Sequence, residues 1–322
     1  MPTPKRKKRD PWSFEKEIKK TGRRYSKNIF IALAIMLGAV MLFDKTGLIS
    51  FNDLKGGGAK SETLQVHFVD VGQGDCELII IGDDAMLIDA GEKENGASVY
   101  KYMTDYGVKK LDYVIATHPH SDHIGGIPAA IKNMSVDTFI IPDIAEKYIP
   151  TTLAYSNLID AIDESNAKLE YAEVSKVYEL GEAKFTILAP STDDASDTTN
   201  LNNYSVVILL EYGDNKFLFT GDAEKKEEND INKTFNLPKV DVLKCGHHGS
   251  NTSTSQAFLD IIQPDYAVIE CGADNSYGHP SSDIIDRIAK YTNKIYRTDL
   301  NGNIIISSNG KDISVKTEKG NK

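Results

Sequence analysis

Apolar residues along most of the chain fall into short runs that glycine, asparagine and aspartate separate. Runs of this length, bounded by turn-forming residues, are typical of buried strands. Residues 64–71 and 76–81 predict the first two strands, and a turn at 82–84 leads into a third that ends at Asp89. Further apolar runs predict strands over 111–116, 136–141, 184–189, 216–219 and 240–244.

Helical segments alternate with these strands. The helices are predicted over 97–106, 124–133 and 153–166, with another reaching about Lys290. A polar loop is predicted over 193–200 and a closing hairpin near Asn301-Gly302. This alternation predicts a mixed α/β domain.

The N-terminal segment differs from the rest of the chain in charge. Residues 1–28 contain eleven Lys and Arg against three Asp and Glu, so the remaining residues carry 26 against 44, a net charge of −18. An acidic domain does not resemble a general nucleic-acid binder, which presents a basic face. With 322 residues, 40% of them hydrophobic, the chain is long enough for one domain of about 250 residues and an appendage.

The boundaries predict four regions. A basic cytoplasmic tail (1–28) precedes an apolar run (29–43), a glycine-containing linker (44–62) and a catalytic domain (63–318). Fifteen apolar residues are fewer than the ~20 of a spanning helix and about the length of a signal-peptide core. We expect an uncleaved transmembrane anchor rather than a cleaved signal, with the basic flank inside and the domain outside the cell.

The candidate chemistry is concentrated after the strand over 111–116. There His118, His120, Asp122 and His123 lie within six residues, followed by two glycines. In extended backbone, side chains two apart point the same way, so His118 and His120 can hold one ion. Asp122 and His123 follow where the chain turns, and can face a second ion. Imidazole and carboxylate together suit zinc, manganese or iron.

Other strand ends carry carboxylates and histidines. Asp89 ends the third predicted strand, where it can orient a metal-bound histidine. Asp241 precedes His247 by six positions, as Asp112 precedes His118, and this spacing predicts a repeated structural unit. The three cysteines, Cys76, Cys245 and Cys271, form no CxxC pair, and Cys245 is expected to be a small core residue.

The pattern His-x-His-x-Asp-His at 118–123 resembles the signature of the metallo-β-lactamase superfamily. That resemblance implies a four-layer αββα sandwich and one or two metal ions. The segments 68–75 and 87–91, with the histidine cluster, further resemble the hydrolase domain of competence proteins of the ComEC type, from about residue 64 to about 310. A departure is the region 202–210, which contains no histidine where much of the superfamily has a ligand.

The resemblance assigns roles to individual residues. It implies that Asp222 bridges two divalent ions, with zinc expected and manganese as an alternative. The metal ligands are predicted to be His118, His120, Asp122, His123, Asp222 and His248, although the repeat favours His247 over His248. Supporting roles fall to Asp75, Asp89 and Asn203, and catalytic roles to Asp122, His247 and His279.

The expected function is a membrane-anchored extracellular phosphodiesterase or nuclease. A wall-polymer esterase, of the type that acts on teichoic-acid phosphorylcholine, would use the same chemistry on a different substrate. β-Lactam or thioester hydrolysis is less expected because the histidine is missing from 202–210. A non-catalytic, metal-stabilised surface binding module is the remaining alternative.

Overall fold

The computed structural model describes residues 63–191 and 199–320, which belong to one compact unit, Glu62–Lys322. The tail, apolar run and linker predicted over 1–62 lie outside the described residues, as does most of the polar loop predicted over 193–200. The domain bounds therefore stay predictions. Within the two described ranges, no helix is both long and apolar enough to cross a bilayer.

Strands form two mixed sheets. In chain order they are β1 (Leu64–Phe68), β2 (Glu77–Ile81), β3 (Asp84–Ile88), β4 (Lys110–Ile115), β5 (Ser135–Ile141), β6 (Lys168–Tyr171), β7 (Val177–Leu180), β8 (Ala183–Ala189), β9 (Val207–Tyr212), β10 (Asn215–Phe219), β11 (Val242–Lys244), β12 (Tyr266–Ile269), β13 (Ile295–Arg297), β14 (Ile304–Ser308) and β15 (Ile313–Thr317). One sheet has the order β15-β14-β1-β2-β3-β4-β5-β6 and the other β13-β12-β11-β10-β9-β8-β7.

Helices cover the outer faces of both sheets. They are α1 (Gly96–Asp105), α2 (Ser121–Ile124), α3 (Ile127–Ile131), α4 (Leu153–Ser165), α5 (Lys225–Thr234), α6 (Gln256–Ile262), α7 (Ser282–Ile288) and α8 (Thr298–Asn301). Apolar residues of α1, α3 and α4 pack on the first sheet, and those of α5, α6 and α7 pack on the second. A third core lies between the sheets, where the Phe68 and Phe219 rings stack with centroids 6.2 Å apart.

Burial on both faces explains why the strands are continuous apolar runs rather than alternating ones. In β9, for example, Val207–Leu210 is buried throughout. The layers confirm the predicted mixed α/β sandwich. Cys245 packs in the outer core of the second sheet, as expected of a small core residue, and burial raises the pKa of its thiol to about 12.

The structure differs from the predicted elements at two places. The helix predicted over 124–133 is interrupted at Gly125 and Gly126, because the Gly126 N–H donates to the Gly91 carbonyl at 2.9 Å and the Asp122 carbonyl accepts from the Asp75 N–H at 3.2 Å instead of from the helix. The predicted hairpin at Asn301-Gly302 is wrong. Gly302 instead ends α8 with a φ of 65°, and the closing hairpin turns between β14 and β15.

Candidate metal centre

The first group of candidate ligands follows β4. The His120 backbone is extended, with φ −79° and ψ 149°, and it begins α2. The two imidazoles lie side by side, with His118 Nε2 3.0 Å from His120 Nδ1, and His118 Nε2 is 3.7 Å from Asp222 Oδ2. His118, His120 and Asp222 can therefore offer three ligand atoms to one ion.

The second group lies deeper. It consists of Asp75, His123, Asp222 and His248, all buried, with ligand atoms close enough to share an ion. His248 Nε2 lies 3.7 Å from Asp222 Oδ1, and His123 Nε2 lies 3.3 Å from the same oxygen. The structure places His248, rather than His247, inside this group. Both histidines have left-handed backbone, with φ 53° for His248 and 48° for His247, which is uncommon outside glycine.

Asp222 stands between the two groups. Its Oδ1 faces His123 and His248, whereas its Oδ2 faces His118 and His247. The Asp222 backbone N–H donates to Ser205 Oγ at 3.0 Å, which fixes the turn after β10. This is the geometry that the predicted bridging role requires, one carboxylate oxygen toward each candidate ion.

Two properties of these residues fit divalent ions: buried ligand atoms without hydrogen bonds, and negative charge. Asp222 Oδ1 and His123 Nε2 are buried and make no hydrogen bond, although buried polar atoms are nearly always paired. Burial alone would lower the pKa of His123, but the negative charges of Asp222 and Asp75 raise it well above its usual value. The buried carboxylates therefore favour positive charge in the centre, which either protons or metal ions can supply.

Asp89 orients His123 from behind. Its Oδ2 accepts a hydrogen bond from His123 Nδ1 at 2.8 Å and from the Thr117 hydroxyl at 2.5 Å, and its Oδ1 accepts from the Thr117 N–H at 2.9 Å. A proton held on Nδ1 leaves Nε2 free as a ligand. Of the other two predicted supporting residues, Asn203 accepts from the Glu224 N–H at 3.3 Å. Asp75 lies within the second ligand group itself.

A buried charged network behind this group was not predicted. The Lys244 ammonium is fully buried and donates to Asp75, and Glu77 and Glu270 complete the network. Burial and the charge of Asp75 raise the pKa of Glu77 to about 8, while burial and the charge of Glu77 raise that of Glu270. The sequence signal is a charged residue beside an apolar run: Glu77 begins β2, Lys244 ends β11 and Glu270 follows β12.

A cleft of about 380 Å³ opens over the ligand groups. Three predicted catalytic residues line it: Asp122, His247 and His279. The Asp122 side chain is 28% exposed, with Oδ2 3.3 Å from His248 Nε2, so it lies on the solvent side of the second group. His247 is 24% exposed and has Nε2 3.6 Å from Asp222 Oδ2. The His279 ring lies 5.6 Å from the His247 ring between centroids.

Two curated proteins resemble this chain over most of its length. ComE operon protein 3 of Bacillus subtilis (strain 168) is 31% identical over 258 residues, which is 74% of this chain and 32% of that protein. Competence protein ComA of Neisseria gonorrhoeae is 30% identical over 235 residues, 72% of this chain and 30% of that protein. These matches confirm the predicted resemblance to competence proteins, although this chain spans only about a third of their length.

A solved structure and a family model give the fold and the family. The diiron β-hydroxylase CmlA from Streptomyces venezuelae superposes with a TM-score of 0.52 at 13% identity, over 78% of this chain and 55% of CmlA, which shows a shared fold. Residues 69–272 match the family model of the metallo-beta-lactamase superfamily. The chain therefore belongs to the metallo-beta-lactamase superfamily.

Proposed function

We propose that this chain is a metal-dependent phosphodiesterase that cleaves nucleic acid. The observation that carries the proposal is the position of Asp222, whose two oxygens face two different ligand groups at the floor of an open cleft. Paired divalent ions on one bridging carboxylate suit the displacement of an alcohol from a phosphodiester. We propose zinc or manganese as the ions.

The two ions would be held by different sides of the centre. His118 and His120 would hold one, and His123, His248 and Asp75 the other, with Asp222 shared. Asp122 would join the second ion from the cleft. When bound, such ions supply positive charge for the phosphoryl oxygens and activate water for attack. Burial would raise the pKa of Asp122, but the hydrogen bond from His248 and the charge of His123 hold it well below its usual range, so this carboxylate is ionised.

The chain's remaining cleft residues would act on the substrate. His247 and His279 both line the cleft, where they can hold a phosphate oxygen or pass a proton to the leaving alcohol. Burial, together with the charges of His247 and His248, lowers the pKa of His279. A neutral imidazole can donate a hydrogen bond to a phosphate oxygen, but it must first take up a proton before it can protonate the leaving alcohol.

The relatives support nucleic acid as the substrate. Because this chain resembles ComE operon protein 3 and Competence protein ComA, we propose DNA as its substrate. The acidity of the domain argues against strong binding of the DNA backbone, and the second candidate substrate is a wall polymer such as a choline-bearing teichoic acid. Both substrates are phosphodiesters, so the metal centre alone does not separate them.

We also propose that the segment 29–43 anchors the chain in the membrane with the domain outside the cell. The support is the basic flank over 1–28. Intact cells treated with protease should lose the domain, whereas a cytoplasmic marker should survive. Protection of the domain until the cells are lysed would contradict this orientation.

The function is tested on the full chain in mild detergent with zinc or manganese. The substrates are bis-p-nitrophenyl phosphate, single- and double-stranded DNA, and a choline-bearing teichoic acid. His120→Ala removes a candidate ligand, and His67→Gln is the matched control because His67 lies outside the centre. Metal-dependent cleavage of DNA that only His120→Ala abolishes would support the proposal. Cleavage of teichoic acid but not DNA would favour the wall-polymer candidate, and no hydrolysis with either ion would contradict both.

A further inference from the structure

An exposed aromatic side chain stands at the mouth of the cleft. Tyr277 lines the cleft and is 71% exposed, although large aromatic side chains usually bury most of their surface. One side of its ring stacks on the His279 imidazole, with centroids 5.7 Å apart and planes 24° apart. The ring is therefore supported from beneath by a cleft residue and remains accessible from solvent.

The loop that carries Tyr277 is fixed at several points. The Asn275 carboxamide Oδ1 accepts from the N–H groups of Tyr277 at 3.2 Å and His279 at 3.0 Å. Its Nδ2 donates to the carbonyls of Gly272 at 2.9 Å and His279 at 2.6 Å. The four hydrogen bonds of the Asn275 side chain fix the conformation of this loop. The Tyr277 ring therefore has a defined position at the cleft even though it is exposed to solvent.

The same loop is joined to the metal centre. The Ser281 N–H donates to the Gly249 carbonyl at 2.9 Å, one residue after His248. A Cβ at Gly249 would lie 2.5 Å from the Cβ of Pro280, so only glycine lets the two loops approach this closely. The distance between the Tyr277 ring and the ligand groups is thereby set by backbone contacts.

The cleft offers little other attraction for a polyanion. Its lining residues among the described part of the chain include no lysine or arginine. A phosphodiester held at the ligand groups would need its remaining binding free energy from contacts other than salt bridges. Stacking of a base on an aromatic ring is such a contact, and it tolerates any base sequence.

We propose that Tyr277 is a stacking platform for the nucleobase next to the scissile phosphodiester, and that it selects nucleotide substrates over phosphodiesters without a base. This inference rests on the proposed phosphodiesterase function and names its substrate class. The base would lie on the exposed side of the Tyr277 ring while the adjacent phosphate lies over Asp222. Unstacked, single-stranded nucleic acid presents its bases for this contact, whereas a duplex does not.

The test compares two diesters that share a leaving group. One is thymidine 5′-(p-nitrophenyl phosphate) and the other is ethyl p-nitrophenyl phosphate, both with the metal-loaded full chain. Tyr277→Ala should raise KM for the thymidine diester about 5- to 150-fold with little change in kcat, the range expected for loss of one stacked base. KM for the ethyl diester should stay within twofold. Tyr277→Trp should retain the wild-type KM for both.

Controls separate stacking from other effects. Tyr171→Ala removes a tyrosine of similar exposure, 56%, that is not among the cleft residues, and should change neither KM. Equal KM changes on both diesters, or none on either, would overturn the proposal.

Binding of a labelled oligothymidylate, followed by fluorescence anisotropy, tests independently of catalysis whether a nucleobase stacks on Tyr277. At least fivefold weaker binding of Tyr277→Ala would support it, and unchanged binding would overturn it. Failure of the wild type to hydrolyse either diester would instead contradict the proposed function.

Discussion

The two sheets contain the same four-stranded unit with different chemistry at its end. In one sheet β2 and β3 are antiparallel and β3, β4 and β5 are parallel; in the other β9 and β10 are antiparallel and β10, β11 and β12 are parallel. Asp112 accepts a hydrogen bond from Ala85 N–H at 2.9 Å, and Asp241 accepts one from Lys216 N–H at 2.7 Å, each from the neighbouring strand. The repeat that the Asp-to-His spacing predicted is thus a structural one.

The difference begins at the last paired residues. Ile88 pairs with Ile115 in the first unit, and Phe219 pairs with Lys244 in the second. Ile115 is an apolar core residue, whereas Lys244 is a buried cation. Beyond them, the first unit supplies Asp89 as a support for His123, and the second supplies Asp222 as the shared carboxylate. The common strands fix where side chains meet, and the residue type at each position decides what they do.

The largest effect is expected at the shared carboxylate. Asp222→Asn keeps the backbone hydrogen bond to Ser205 but removes the charge between the two ligand groups. We expect kcat/KM for phosphodiester hydrolysis to fall by roughly 10³-fold or more, because both ions lose a ligand and a counter-charge. Steady-state kinetics with saturating metal checks this. Activity within tenfold of wild type would exclude a shared role.

The buried lysine of the second unit is expected to matter for stability. Lys244→Met leaves Asp75, Glu77 and Glu270 without their buried cation. The free energy of unfolding should fall by about 3–5 kcal/mol, as when one partner of a buried ion pair is removed. Urea denaturation of metal-free protein measures it. The matched variant at the equivalent position, Ile115→Val, should cost only about 0.5–1.5 kcal/mol. Similar losses for the two variants would show that Lys244 is an ordinary core residue.

A histidine outside the metal centre gives a pH test. His67 on β1 is buried, and burial lowers its pKa to about 4. The unfolded chain binds a proton near pH 6.5 that the folded chain accepts only near pH 4, so acidification through this window destabilises the fold. Between pH 6.5 and 4 the free energy of unfolding of wild type should fall by up to about 3 kcal/mol more than that of His67→Gln.

Parallel curves for the two proteins would contradict this account of His67. The pKa of His67 contrasts with that of a buried histidine in the metal centre. Carboxylates raise the pKa of His248 to about 9 despite burial, whereas His67 has burial alone.

The smallest effect is expected at the supporting carboxylate of the first unit. Asp89→Asn retains the shape but weakens the hydrogen bond that orients His123. Metal affinity should fall about 10- to 100-fold, as for other residues that hold a metal-bound histidine. Competition with a chromophoric chelator measures it. A loss as large as that of Asp222→Asn would make the two carboxylates equivalent and remove the distinction between the units.

Local patterns in the sequence predicted a mixed α/β domain and the first histidine cluster, whereas the sandwich and the roles of the other residues in the centre were implied by the resemblance to the metallo-β-lactamase superfamily. His118 and His120 follow a recognisable strand, and Asp222 follows another, so the apolar runs alone place these residues at strand ends. The alternative between His247 and His248 could not be decided this way. The directions of the two side chains depend on two consecutive residues with left-handed backbone, which the pattern of apolar residues does not predict.

The buried network could not be predicted from the sequence for a different reason. Lys244 and Asp75 are 169 residues apart, and Cys76 N–H donates to Glu270 across 194 residues. Such pairs meet only when the two sheets face each other. Each residue taken alone looks like a charged strand terminus exposed to solvent. The closing hairpin was misplaced for a simpler reason, since Asn301-Gly302 is a common turn sequence that here ends a helix.

The metal stoichiometry of the full chain, measured by isothermal titration with zinc and manganese, tests most directly whether two ions share the Asp222 carboxylate. We expect two ions per wild-type chain, two ions bound more weakly by Asp89→Asn, and fewer than two by Asp222→Asn. A wild type that binds one ion or none, or an Asp222→Asn variant that binds two with unchanged affinity, would contradict a centre built on one shared carboxylate.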